Sequence, residues 1–491
     1  MAGNKGVFMK NNVDKFHCDN MTIRDQYNRQ RIFRGINICI KKNNRKALKG
    51  LLPILDDKFF KLLNKCGINI IRLGLTWEII EPEEGCFDRE VIDIFKKFAY
   101  KCRENSIYIF LDMHQDLFSV HCCKPAGDGA PKWALDKSIK PKRPFAIWAE
   151  GYFYMDGVQK AFYDFWNNKS ELQKKYAKAW QFFAKEFEDL DNIIGYDYLN
   201  EPYPDKNGRT VFLTLIEQVI KLSLNKTLNL GKNFENCSDK TGFLKSVLKI
   251  AAAVKTPKNL IKVKNTMDNK KNFAKVLEGF DRFTAEFNKK YYEPFFKSIS
   301  AEINTGEKFN LFEHNYYSNL GIPFEIDCDK KSVYSPHAYD VFVDSPLYNK
   351  YSSNERITHI IETIRENQLR MKVPVLFGEW GGHSVGTQWL SHIDYIMDLF
   401  EKYQWSNVYW GFNAGKAEFV KTFNRPYPVA VNGDIIKIKT DSKAGTFYLS
   451  WEQYNTDAKN IIFVPNEGMR ELDGKIGKNE ITISYQSEGS V

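Results

Sequence analysis

The chain has 491 residues, of which 43% are hydrophobic and 15% aromatic, so it can bury a large core and does not have the composition of a disordered protein. The net charge of +10 is the excess of 71 basic over 61 acidic residues. We interpret this excess as diluted over many segments, which argues against the clustered basic stripe of a nucleic-acid-binding protein. A weak preference for anionic surfaces stays open.

The cysteine spacing bears on possible metal sites, and the hydropathy bears on possible membrane spans and signal peptides. The nine cysteines form no CxxC pair and no histidine lies at ligand spacing from them, so we expect no metal site, and no organic cofactor is expected either. No apolar run reaches the roughly 18 residues of a membrane span, and residues 1–12 hold no signal-peptide core. The chain as given therefore predicts a cytoplasmic monomer, or a secreted or lysosomal-type protein if a leader has been removed.

Short apolar runs rich in Ile, Val, Phe and Tyr recur along the chain and have the length of buried strands. In chain order the eight predicted strands are residues 33–40, 68–76, 107–113, 193–199, 310–314, 332–337, 373–378 and 407–412. Helical patterns lie between them, at residues 57–65, 90–104, 172–187, 358–370 and 391–403. This alternation predicts an α/β fold with a parallel sheet, and eight right-handed units favour a closed (β/α)8 TIM barrel.

Two regions depart from the alternation. Residues 206–281 are rich in Lys and Asn, follow the fourth strand and show helical patterns at 211–222 and 243–254, which predicts a helical insertion. After the eighth strand, short alternating runs separated by Gly, Asn and Asp predict a small all-β sandwich. These runs are residues 429–431, 435–439, 446–451, 461–464 and 481–485. We therefore predict a barrel domain at 1–424 and a C-terminal β-sandwich domain at 425–491.

Polar residues at the ends of the predicted strands are candidate site residues, because the C-terminal strand ends of a barrel surround its active site. Two carboxylates occupy such ends, Glu201 after the fourth strand and Glu379 after the seventh. Such a pair suits glycoside hydrolysis, in which one acid protonates the leaving oxygen and the other attacks the anomeric carbon. A second carboxylate nearby raises the pKa of the proton donor.

Further candidates at the same rim are polar or aromatic. They are Arg72, His114, Asp116, Asn200, His337, Tyr339 and Trp410. Taken singly, each has a simpler explanation as a salt-bridge partner, a satisfied buried histidine or barrel packing. Their concentration at one rim favours an active site.

Around these residues the sequence resembles glycoside hydrolase family 5, from about residue 33 to 413. The family's general-acid signature Asn-Glu-Pro matches residues 200–202, and its nucleophile motif matches Phe-Gly-Glu-Trp at 377–380. The resemblance implies a retaining hydrolase with Glu201 as acid/base and Glu379 as nucleophile. The family pattern extends to Arg72, His114, His337, Tyr339 and Trp410.

Within the family the chain looks most like the endoglycoceramidases. The matching segments are Asp-Met-His-Gln-Asp at 112–116, Gly-Asp-Gly-Ala-Pro-Lys-Trp-Ala at 127–134 and Arg-Pro-Tyr-Pro at 425–428. The resemblance implies double displacement at the linkage between glycan and ceramide in glycosphingolipids, with release of intact sugar and ceramide. It also implies Lys41 and Asp116 as sugar-binding groups. The insertion at 206–281 departs from the family pattern.

The loop after the third strand is crowded with aromatic residues between Trp133 and Trp166. They form either an apolar groove for the ceramide chains, with Trp133 and Trp148 at its rim, or the loop's own small core. A groove implies transient contact with a membrane or micelle surface. The open alternatives are an exo- or endo-glucosidase acting on glucosylceramide, sterol glucoside or β-glucan, and a non-catalytic glycan- or lipid-binding protein, which would not need both carboxylates.

Overall fold

Eight parallel strands form a closed barrel in this computed structural model, which confirms the predicted fold class. The structure describes residues 14–41, 56–144, 147–204, 208–230, 240–303, 306–345, 347–411 and 421–486. The barrel strands are, in order, Arg34–Ile40, Ile70–Thr76, Tyr108–His114, Ile193–Asp197, Phe309–Phe312, Ser332–Tyr334 continued by His337–Ala338, Leu376–Gly381 and Ser406–Trp410. Most of their residues are buried, because a parallel sheet inside a layer of helices has no solvent face.

The sixth barrel strand is broken in two, and the break closes the barrel. Its first part, Ser332–Tyr334, pairs with the fifth strand, whereas His337–Ala338 pairs with the seventh, with His337 opposite Glu379. Pro336 lies between the two parts and has no N–H to donate, so a regular ladder cannot continue through it. The break brings His337 into the barrel mouth.

Helices pack around the barrel through apolar residues at helical spacing. In Arg89–Glu104, for example, Asp88 accepts a hydrogen bond from the Val91 N–H as N-cap, and Val91, Phe95 and Phe98 are buried. The other helices that the structure describes outside the insertion are Asp57–Lys65, Trp77–Ile80, Glu150–Tyr154, Asp156–Trp166, Leu172–Glu186, Ala285–Phe287, Glu293–Ile303, Tyr348–Tyr351, Asn354–Met371 and Trp389–Tyr403. Short 3-10 or π turns occur at Lys132–Ala134, Lys169–Glu171, Phe280–Phe283, Asn288–Tyr292 and Tyr316–Leu320.

The region predicted as an insertion is helical where it is described. Its helices are Gly208–Leu224, Lys240–Ala253, Pro257–Met267 and Lys270–Leu277. The first of them begins against the loop that follows the third strand, where Arg209 donates to the Tyr154 carbonyl and to Asp156. The insertion therefore lies on the C-terminal side of the barrel. Within the described ranges, no helix is both long and apolar enough to cross a bilayer.

The C-terminal region is a β-sandwich that also takes strands from the start of the chain. One sheet holds Phe16–Asp19, Thr22–Asp25, Arg29–Arg31, Tyr427–Asn432, Asn460–Val464 and Gly468–Leu472 in that spatial order. The other sheet holds Asp434–Asp441, Thr446–Gln453 and Gly477–Ser484. Apolar side chains such as Phe447 and Ile462 fill the space between the sheets. The domain division between residues 424 and 425 stays a prediction, and the pairing of Arg29–Arg31 with Tyr427–Asn432 joins both chain ends in one sheet.

The amino-terminal strands also cover the N-terminal end of the barrel. Phe16 and Ile23 pack in one buried cluster with barrel residues that include Phe33, Ile70 and Phe110. The amino-terminal strands therefore close the N-terminal end of the barrel. The predicted site residues lie at the opposite, C-terminal end.

Candidate active site

Arg72, on the second barrel strand, is fully buried beneath the barrel mouth and contacts carboxylates from four other strands. Its guanidinium nitrogens lie 3.0 Å from Asp112, 3.0 Å from Asp197, 2.7 Å from Glu313 and 2.5 Å from Glu379. Burial and the neighbouring Glu313 raise the pKa of Asp197 well above its ordinary value, despite the charge of Arg72. Asp197 therefore keeps its proton at pH values at which an isolated aspartate would have lost it.

Both oxygens of the Glu379 carboxylate are held in place. The Tyr339 hydroxyl donates to Oε2 at 2.8 Å, and Arg72 Nη1 donates to Oε1 at 2.5 Å. His337 Nδ1 lies 3.7 Å from Oε2. Burial acts to raise the pKa of Glu379, but the charges of His337 and Arg72 outweigh it and hold the pKa below its ordinary value. Glu379 is therefore an ionised carboxylate with a fixed orientation.

Glu201 follows the fourth strand at a backbone position with φ of 42°, in the left-handed region that costs a non-glycine residue free energy. Its N–H donates to Glu313 Oε2 at 2.7 Å, which holds this conformation. Its Oε1 accepts from Asn319 Nδ2 at 2.7 Å and lies 3.1 Å from His337 Nδ1. Burial raises the pKa of Glu201; His337 opposes this effect, and the charge of Glu379 adds to it.

The two carboxylates are close together and their pKa values shift in opposite directions. Oxygen atoms of Glu201 and Glu379 lie within 4.8 Å of each other, with His337 contacting both. A retaining glycosidase needs about 5 to 5.5 Å between its carboxyl groups, whereas an inverting one needs about 6.5 to 9.5 Å. The arrangement places a carboxyl group with a raised pKa beside a carboxylate with a lowered pKa.

A second polar group forms one wall of the mouth. The rings of His114 and Trp410 lie parallel with centroids 5.6 Å apart, and Lys41 Nζ lies 4.5 Å from the Trp410 ring centroid. Lys41 is paired with Asp116, whose pKa is lowered because Lys41 and His114 outweigh the effect of burial. An aromatic face beside fixed donors and acceptors suits a sugar ring, which has an apolar face and a polar edge.

Asp128 and Asn200 form hydrogen bonds to other residues of the site. Asp128 accepts a hydrogen bond from the Asp116 N–H at 3.0 Å, and burial together with the charge of Asp116 raises the pKa of Asp128 to about 7. Asn200 accepts from Arg72 Nη2 and donates to the Gln115 carbonyl. Asn200 thus uses both ends of its amide within the protein.

Several acidic clusters have the composition of a metal site, but protein cations contact them. Asp112, Asp197 and Glu313 meet around Arg72, and the cluster of His114, Asp116 and Asp128 is joined by Lys41. These cations supply the positive charge that a bound ion would otherwise bring. The expectation of no metal stays a prediction.

The two groove candidates are partly buried, and each is held by its indole N–H. Trp133 donates to the Glu81 carbonyl at 3.1 Å, and Trp148 donates to Asp344 at 3.3 Å. Other aromatic residues between Trp148 and Trp166 are fully buried and form a core for the loop, among them Tyr152, Phe162 and Phe165. The aromatic residues of this loop therefore fall into two groups: buried side chains that form its core, and the partly buried Trp133 and Trp148 at its rim.

Four residues of the cluster were not predicted from the sequence. They are Asp112, Asp197, Glu313 and Asn319. Glu313 directly follows the fifth strand, so the strand-end rule that found Glu201 applies to it as well. The other three have no comparable signal, because Asp112 and Asp197 lie within strands and Asn319 lies in a turn.

Comparisons with protein families agree with this geometry. The family described as Cellulase (glycosyl hydrolase family 5) matches residues 33–416. The Glycoside hydrolase family 5 C-terminal domain matches residues 425–487. The two matches together cover the barrel and the C-terminal strands of the sandwich.

Curated relatives match parts of the chain. An endoglycoceramidase from Cyanea nozakii is 28% identical over 203 residues, which is 36% of this chain and 40% of the relative. A glucosylceramidase from Aspergillus fumigatus is 28% identical over 249 residues, which is 39% of this chain and 32% of the relative. The chain thus spans two fifths or less of the length of these relatives.

A solved structure matches nearly the whole chain. Endo-glycoceramidase II from Rhodococcus sp., in complex with ganglioside GM3, superposes with a TM-score of 0.64 at 19% identity. The superposition covers 95% of this chain and 100% of that chain. The likeness establishes that the barrel and the β-sandwich form a shared architecture.

Proposed function

The chain belongs to glycoside hydrolase family 5, and from this membership we propose that it is a retaining endo-glycosidase that separates glycan from ceramide in glycosphingolipids. The observation that carries the retaining mechanism is the close pair of Glu201 and Glu379 with opposite pKa shifts. The lipid substrate is supported by the similarity to an endoglycoceramidase and to a solved endo-glycoceramidase in complex with a ganglioside.

In the first step Glu379 attacks the anomeric carbon while Glu201 donates its proton to the oxygen of ceramide. The Glu379 oxygen–carbon bond forms as the glycosidic bond breaks, and ceramide leaves as a neutral alcohol. Tyr339 and Arg72 hold the attacking carboxylate, so little reorientation is needed. In the second step Glu201 removes a proton from water, which attacks the same carbon and releases Glu379.

The low pKa of Glu379 also favours the second step. A carboxylate stabilised by Arg72 and Tyr339 is a better leaving group from the glycosyl ester than an unsupported one. The raised pKa of Glu201 keeps a proton available to a higher pH than an ordinary glutamate would. We propose that Lys41, His114 and Asp116 bind sugar hydroxyls.

Exposed aliphatic side chains on loops at the C-terminal side of the barrel support a lipid-binding mouth. Ile147 is 57% exposed, Leu347 46% and Val385 92%, on the loops after the third, sixth and seventh strands. Apolar surface is worth roughly 25 cal/mol per Å² when acyl chains cover it. We propose that Trp133 and Trp148 border this surface.

The proposal is tested by incubating the protein with a glycosphingolipid that carries several sugars and identifying both products by mass spectrometry. We expect the intact oligosaccharide and ceramide. The Glu379→Gln variant is the matched control for contaminating glycosidases. Stepwise loss of terminal sugars, or release of glycan from a β-glucan alone, would contradict the assignment.

A second candidate function is hydrolysis of glucosylceramide, which is favoured by the similarity to a glucosylceramidase. The same assay with glucosylceramide separates the two. If glucose is released from glucosylceramide while oligosaccharide-bearing lipids are not cut, the second candidate replaces the first.

The lipid-binding part has its own test. Trp148→Ala is expected to weaken glycolipid hydrolysis and to leave a small aryl glycoside nearly unaffected, because only the lipid covers the rim. Tyr100→Ala is the control, since Tyr100 is an exposed aromatic residue on the outer helix Arg89–Glu104. A parallel fall on both substrates would mean that Trp148 only packs the loop.

A further inference from the structure

The charge of the chain is concentrated in the insertion rather than spread evenly. Residues 206–281 contain 15 basic and 6 acidic residues, an excess of nine in a chain whose net charge is +10. Within the insertion, residues 240–267 contain seven lysines and no acidic residue. This corrects the interpretation of a diluted charge and directs attention to the two helices of that stretch.

We call the helices Lys240–Ala253 and Pro257–Met267 the basic helix pair. Only some of their side chains are buried against the rest of the protein. Among the described side chains of the first helix, at residues 245–253, Ser246 and Ala253 are buried and Ile250 is half-buried. In the second, Thr266 is the buried position. Val263 and Met267 of the second helix are half-buried, and Met267 packs against the main core.

The outward faces of the basic helix pair carry large aliphatic side chains. Val247 is 39% exposed, Leu248 62%, Leu260 53% and Ile261 58%. A surface helix ordinarily turns its apolar stripe toward the core and its charges toward water. Here four large aliphatic residues share the solvent face with lysines, so a substantial part of the apolar surface is turned outward.

The lysines among these aliphatic residues are exposed as well, including Lys255, Lys258 and Lys262. A surface that combines exposed aliphatic side chains with an unbroken positive charge repels a second copy of itself. It complements an anionic surface into which apolar groups can enter, because lysine stems lie along such an interface while their ammonium groups reach the phosphates.

We propose that the basic helix pair docks onto the anionic headgroup surface of a lipid bilayer. Val247, Leu248, Leu260 and Ile261 enter the interface, and the lysines pair with lipid phosphates and carboxylates. The proposal deepens the proposed function, because the insertion follows the fourth strand and begins against the loop that borders the mouth. Docking there would bring the mouth close to glycolipids in the same membrane.

The test measures binding to sedimented vesicles that contain no glycolipid, so its outcome does not depend on the substrate. We expect the wild-type chain to bind phosphatidylcholine vesicles that contain phosphatidylserine, and to bind pure phosphatidylcholine vesicles far more weakly. One lysine near an anionic surface contributes roughly fivefold in partitioning, so K255Q/K258Q/K262Q is expected to weaken binding about a hundredfold. L260S/I261S is expected to weaken it roughly tenfold.

Matched controls remove the same groups elsewhere. K97Q/K178Q/K185Q neutralises three exposed lysines on outer barrel helices, and L369S/I436S replaces two aliphatic residues that are 47% and 48% exposed. Both controls should bind within about twofold of wild type, because each removes groups remote from the basic helix pair.

Three results would overturn the proposal. They are equal binding to both vesicle types, equal weakening by the control variants, and unchanged vesicle binding by L260S/I261S together with equally tight binding to soluble RNA. The last result would identify a site for a soluble polyanion. Hydrolysis of a soluble aryl glycoside is measured in parallel, and its absence would contradict the proposed function without changing the docking result.

Discussion

Buried arginines meet carboxylates at both ends of the barrel, but the balance of charge differs. At the N-terminal end, Arg31 contacts Asp14 and Asp25, and Arg29 contacts Asp25 at 2.8 Å. Two arginines there face two carboxylates. At the C-terminal end, Arg72 alone contacts four.

The difference in charge balance leads us to assign a structural role to the N-terminal cluster and a catalytic role to the C-terminal one. At the N-terminal end, burial acts to raise the pKa of Asp14, but Arg31 outweighs it and the pKa is lowered. Matched charges of this kind hold strands together. At the C-terminal end, burial and the charge of Glu379 raise the pKa of Glu201, whereas His337 and Arg72 lower the pKa of Glu379. A catalytic pair needs such unequal protonation.

The largest expected effect follows from removing the proposed nucleophile. Glu379→Gln should reduce kcat by roughly 10⁴-fold or more, because an amide cannot form the glycosyl ester. Steady-state hydrolysis of an aryl glycoside measures this loss, and the melting temperature checks folding. Glu186→Gln, on an outer helix, is the matched control. Activity near wild type in a pure preparation of Glu379→Gln would remove this residue from its role.

The next effect depends on the leaving group. Glu201→Gln should lower hydrolysis of a glycolipid by roughly 10² to 10⁴-fold, whereas a glycosyl fluoride should be affected much less in its first step, because fluoride leaves without a proton. Pre-steady-state release of each leaving group measures the contrast. Equal losses on both substrates would make Glu201 a structural residue.

The N-terminal cluster should affect stability rather than turnover. Arg31→Met leaves Arg29 alone facing the two buried carboxylates of Asp14 and Asp25, and should lower the free energy of unfolding by about 3 kcal/mol. Arg89→Met, which breaks an exposed pair with Glu186, should cost about 1 kcal/mol or less. Chemical denaturation measures both. A large fall in kcat for folded Arg31→Met would contradict the division between the two ends.

The smallest effect concerns pH. Because the pKa of Glu379 is lowered, kcat/KM should fall about tenfold per unit only when the pH drops through that low value and the nucleophile is protonated. Because the pKa of Glu201 is raised, activity should fall on the alkaline side as its proton is lost. With a glycosyl fluoride, Glu201→Gln should lack the alkaline limb. An unchanged alkaline limb would assign it to another group.

The barrel could be predicted from the sequence because its strands are buried on both faces and therefore form continuous apolar runs. The strand Gly468–Leu472 was not predicted, since none of its residues is buried and it shows no pattern. The short strand Arg29–Arg31 contains only Arg and Gln. Its burial depends on pairing with Tyr427–Asn432, about 400 residues away, which no local pattern reveals.

The site was predictable only in part. Glu201 and Glu379 end apolar runs and lie in recognisable motifs, and Glu313 was accessible to the same reasoning. Asp112 and Asp197 were not, because a carboxylate inside a strand becomes meaningful only when Arg72 on the neighbouring chain segment is seen to contact it. The sequence therefore predicts the two proposed reacting groups better than the surrounding network of buried charges that shifts their pKa values.

The most direct test of the account is to trap the covalent intermediate. Incubation with a 2-deoxy-2-fluoroglycosyl fluoride slows the second step, and peptide mapping by mass spectrometry locates the attached sugar. The account predicts one label, on Glu379. A label on Glu201 or any other residue, or a first-formed product with inverted anomeric configuration and no label, would contradict it.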